Sequence, residues 1–179
     1  VTRKIHDTDY LFLTTRVRAL EGCLLNRGQM EQMLEAGSPE EAARILTDCG
    51  YPELETVSAI TVGEMLNRER ERLFQDLAEL VPDPAILAVF QLPHDYRNVK
   101  VLLKSEAMGI QEDRLLVDAG RIPSKQLVAA LRSGEVQNLP PQLGEAIDKA
   151  RQVLSATRDP QFGDMVLDRR YFQELLVLA

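Results

Sequence analysis

The chain holds two histidines, His6 and His94, too far apart in sequence to form a metal site unless folding unites them. His94 stands beside Asp95, a composition that suits acid/base chemistry. Adjacent residues on a helix point to different sides, however, and a histidine in a first helical turn commonly serves as a local hydrogen-bonding residue. No metal or general-base role is assigned to either. Cys23 and Cys49 belong to no CxxC pair and no Cys/His set with zinc spacing. They read as reduced packing residues on helices rather than as a redox pair. Phosphate loops of the GxxxxGK[ST] kind are absent, as are GxGxxG and GxSxG. Without a nucleophile, base and oxyanion donor to assemble, a small helical enzyme is the poorest reading and no cofactor is expected.

Cationic side chains are the better candidates. Arg97, Lys100 and Lys104 recur at three- and four-residue steps, which places them along one side of a helix. They suit the acidic side chains of a partner, or else form an ordinary solvated face. Arg16 and Arg18 carry the same two readings. Met30 and Met33 read as core rather than as an adaptable partner groove.

The elements that must position these residues are helical throughout, since no alternating stretch of β-branched residues is bounded by turn signals. Thr8 is expected to cap a first helix with the stripe Tyr10, Leu13, Val17, Leu20, Leu24, ending near Asn26 and Gly28. A short helix from about 29 to 36 follows. Ser38, Pro39 and Glu41 make a capping-box start for the next, which stops at Gly50. The longest pattern runs from about 55 to 80, with Val62, Leu66, Leu73, Leu77 and Leu80 inward, and Pro82 and Pro84 end it. After a short helix to Phe90, Pro93 and Asp95 open a helix that buries Val99, Leu102, Leu103 and Ala107 and stops at Gly109. Residues 110–122 carry the weakest signals. Helices at 124–132 (stopped by Gly134), at about 142–157, and from Asp159-Pro160 onward complete an all-α bundle of about eight helices.

At 45% apolar residues and a formal charge of -7, the composition fits a globular domain and argues against a nucleic-acid binder, whose phosphate affinity needs clustered Lys and Arg. No run approaches the roughly 20 apolar residues of a bilayer span, and no signal-peptide pattern appears. A cytoplasmic location is expected. The start at Val1 and the apolar end Leu175 to Ala179 predict a piece of something longer. One internal echo supports a chain of related modules: Met30, Met33, Leu34 and Ala36 resemble Phe172, Leu175, Leu176 and Ala179, with one residue inserted.

Four stretches carry a wider resemblance: YLFLTTRVRALEGCLL from Tyr10, MEQMLEAGSPEEAARILTDCGY from Met30, HDYRNVKVLLK from His94 and LDRRYFQELLVLA from Leu167. In this order they are similar to the C subunit of V/A-type rotary ATPases, known as the d subunit in eukaryotes. The resemblance implies a non-catalytic rotor part that binds no nucleotide, sits between central-stalk subunits and the membrane ring, and transmits torque. It implies a peripheral position at the cytoplasmic face. It further implies a three-module helical funnel, of which residues 1–158 would be the first module and 159–179 the start of a second. An unrelated all-helical interaction scaffold is the alternative.

Overall fold

A computed structural model of the protein describes residues 5–178, and within them every regular element is a helix: eight α-helices and three short 3-10 turns. The expectation of an all-α protein with about eight helices is met. Val1 and Ala179, which the readings of the two chain ends invoke, lie outside the described residues. Two compact units divide the chain, Val1–Asp83 and Pro84–Ala179.

In the first unit, a 3-10 turn at Asp7–Tyr10 leads into α1, Leu11–Glu21. Thr8 is therefore not the cap. His6 stands at that position, and the Asp9 carboxylate accepts its N–H at 3.0 Å. Asn26 does not end α1 but opens α2, Arg27–Glu35: its Oδ1 accepts the Gln29 N–H at 2.9 Å while Gln29 Oε1 accepts the Asn26 N–H at 2.9 Å. That reciprocal pair satisfies two otherwise orphaned donors. Ser38 caps α3, Pro39–Asp48, through the Glu41 N–H at 3.2 Å, but Glu41 reaches back to Gly37 instead of Ser38. Gly50 stops the turn with φ +93, a region open to glycine. Ser58 opens α4, Ala59–Ala78, a few residues later than the pattern suggests, because Ser58 and Thr61 form their own capping box. Leu46 and Met65 are the only buried apolar side chains among this unit's described residues; the first-helix stripe leaves Val17 and Leu24 exposed.

The second unit contains α5 (Pro84–Met108), α6 (Ser124–Ser133), α7 (Pro141–Thr157) and α8 (Pro160–Leu178). Pro93 does not start a helix; it lies inside the single long α5. An interior proline removes one backbone hydrogen bond and costs about 3 kcal/mol. Here its ring is on an exposed side, while Leu87, Leu92, Asp95, Tyr96, Asn98 and Val99 around it are buried. Burial on both flanks keeps the helix continuous through the local preference to break. Val99, Leu102 and Leu103 are buried as expected and Ala107 is exposed.

Their apolar side chains join Leu127, Leu143, Ile147 and Leu167 in one core to which α5, α6, α7 and α8 all contribute. Gly134, at φ +78, ends α6. Arg158, at φ 56, turns the chain between α7 and α8, and Asp159 Oδ1 accepts the Gln161 N–H at 2.9 Å to start α8. Between α7 and α8 the chain makes a tight turn, and α8 is laid against α5 and α7.

Candidate functional site

The richest polar geometry lies where α5 meets α8. Asp95, with no exposed surface, sits on the inner side of α5 rather than at a helix start. Its Oδ2 accepts Arg121 Nε at 2.7 Å and its Oδ1 accepts the Ile122 N–H at 3.2 Å. Arg121 Nη1 donates to Glu174 Oε1 at 2.7 Å, and the Tyr96 hydroxyl donates to Glu174 Oε2 at 2.9 Å. One guanidinium therefore joins carboxylates from two helices. Arg121 Nη2 is buried without a partner among the described residues.

Burial shifts these groups in directions that follow from their contacts. Desolvation raises the Asp95 carboxyl above its ordinary 3.8, and the hydrogen bonds and charge of Arg121 pull it back only in part. Burial lowers Arg121, but its bonds to Asp95 and Glu174 and their charges outweigh this and hold it above its usual value. The Tyr96 hydroxyl is raised well above its ordinary range, first by burial and then by the Glu174 charge it faces. The phenol stays neutral. Nothing in the cluster supplies a nucleophile beside a free base.

Residues 110–122, the segment with the weakest sequence signals, are fixed by the same helix. Asn98, fully buried, donates to the Val117 carbonyl at 2.8 Å and accepts the Val117 N–H at 3.0 Å. A side-chain amide thus stands in for a backbone neighbour. Gly120 lies so close to Asp95 that an added Cβ would collide with the carboxylate.

The cationic candidates separate on inspection. Lys100 Nζ contacts Asp168 at 2.5 Å and Lys104 Nζ contacts Asp164 at 2.7 Å. The acidic side chains opposite these two lysines belong to the same chain, on α8. Arg97 is exposed and has no ion-pair partner among the described residues. Arg16 lies 3.7 Å from Asp76 of α4, and Arg18 pairs with Glu21 at 2.7 Å on its own helix. All but Arg97 therefore have a carboxylate of this chain within ion-pair distance. Cys23 and Cys49 are both free, but Cys23 is exposed, which corrects its reading as a packing residue. Met30 is half exposed and not core.

Sequence reasoning missed Tyr96, Arg121 and Glu174. A signal for Glu174 existed: it falls on the same side of α8 as Leu167, Tyr171 and Leu178, a carboxylate in an otherwise apolar stripe. For Arg121 no comparable signal exists, since it lies in irregular backbone.

Along α5 and α8 the pairs run Tyr96 with Glu174, Lys100 with Asp168, and Lys104 with Asp164. Rising numbers on one helix meet falling numbers on the other, so the helices are antiparallel and their register is fixed by three polar contacts over a shared apolar seam. Fold and site together define an all-helical protein in which buried and half-buried polar side chains join α5 to α8 and to the segment before α6. Residues 13–178 match the family described as the ATP synthase (C/AC39) subunit, and the chain belongs to that family. It is 27% identical over 167 residues to the C subunit of the V-type sodium ATPase of Enterococcus hirae, covering 93% of this chain and 51% of that protein. It is 26% identical over 139 residues to the C subunit of the A-type ATP synthase of Methanocaldococcus jannaschii, covering 71% of this chain and 35% of that protein. The chain thus spans about half the length of the first relative and about a third of the second. No helix among the described residues is long and apolar enough to cross a membrane.

Proposed function

We propose that this chain is a non-catalytic rotor component of a V/A-type ATPase or ATP synthase, connecting central-stalk subunits to the membrane ring and passing torque between them. The observation that carries the reading is the family match across residues 13–178, with relatives named as the C subunits of two such complexes. It removes the motive for the unrelated scaffold. The geometry is in keeping with a mechanical part. A rotor element must hold shape under load, and α5 and α8 are locked against sliding by contacts in three successive turns. In this reading the chain lies peripherally at the cytoplasmic face, with residues 1–158 as the first helical module and 159–179 as the start of a second. Contact of Arg97, exposed on α5, with a stalk or ring subunit is part of the same proposal.

Co-expression with the remaining subunits of a rotary ATPase tests it. The chain is expected to co-purify with stalk and ring subunits after detergent extraction. Failure of the chain to co-purify with them, under conditions where all the subunits are co-expressed and the others assemble, contradicts the reading.

A further inference from the structure

We draw no further inference here: the strongest candidate, the exposed apolar faces of α2 (Met30, Leu34) and α8 (Phe172, Leu176), carries nothing, because nothing in the structure shows what covers them.

Discussion

Asp95 has no exposed surface, and Arg121 Nε and the Ile122 N–H take the place of the water its carboxyl group has lost. Removing the cation leaves that carboxylate uncompensated. Arg121→Met is therefore expected to destabilise the fold by about 3–5 kcal/mol in urea denaturation, whereas Asp95→Asn, which removes the buried charge itself, should cost clearly less. Equal losses would mean that the pair does not act as a charge-compensated unit. A pH dependence follows from the raised Asp95 carboxyl. As pH falls, the native state takes up this proton before the unfolded chain does, so the group's contribution is fully present below the unfolded value of 3.8 and is lost as pH rises through its raised folded value. Stability of the parent relative to D95N should accordingly increase on acidification from about pH 7 toward pH 4. A difference that stays flat across that range contradicts the assignment.

Between helices, α5 and α8 pair antiparallel through Tyr96–Glu174, Lys100–Asp168 and Lys104–Asp164. Lys100→Glu places like charges together at Asp168 and is expected to cost about 1 kcal/mol, or about 2–4 °C of thermal midpoint, which D168K in the same chain restores. If the charge-swapped double variant is no better than the sum of its parts, the contact is incidental. Val99→Asp is of another order, since an unpaired charge at a position with no exposure costs several kcal/mol, comparable with the whole stability of a domain. The elements themselves were largely legible. Ser38-Pro39, Gly134 and Asp159-Pro160 are start and stop signals with local physical causes, and the helices obey them. Pro93 carries a local signal of equal strength that fails, because burial of the apolar side chains of Leu92, Tyr96 and Val99 on either side outweighs one missing hydrogen bond. Partner choice was not legible. The spacing of Lys100 and Lys104 places them together, but only the fold of α8 shows that Asp168 and Asp164 of the same chain answer them.

For the whole molecule, the two compact units differ in how they are held. In Pro84–Ala179 four helices share a core and Arg121 ties α5 to α8 through buried carboxyl groups, while among the described residues of Val1–Asp83 only Leu46 and Met65 are buried apolar side chains. The second unit is expected to resist unfolding longer, so its amides on α5 and α7 should be the last to exchange with deuterium. The rotor reading makes the chain a transmitter with no chemistry of its own, and calorimetry with ATP and magnesium is expected to register no saturable binding to the isolated chain. Torque transmission has a sharper signature in the assembled complex, where catalysis and ion movement are separable. The decisive measurement is ATP hydrolysis and ion uptake recorded together in vesicles holding a rotary ATPase reconstituted with and without this protein. The account predicts that hydrolysis continues without the chain while ion uptake falls to background, and that adding the chain restores uptake. Ion uptake that proceeds at the full rate in its absence would contradict the rotor reading.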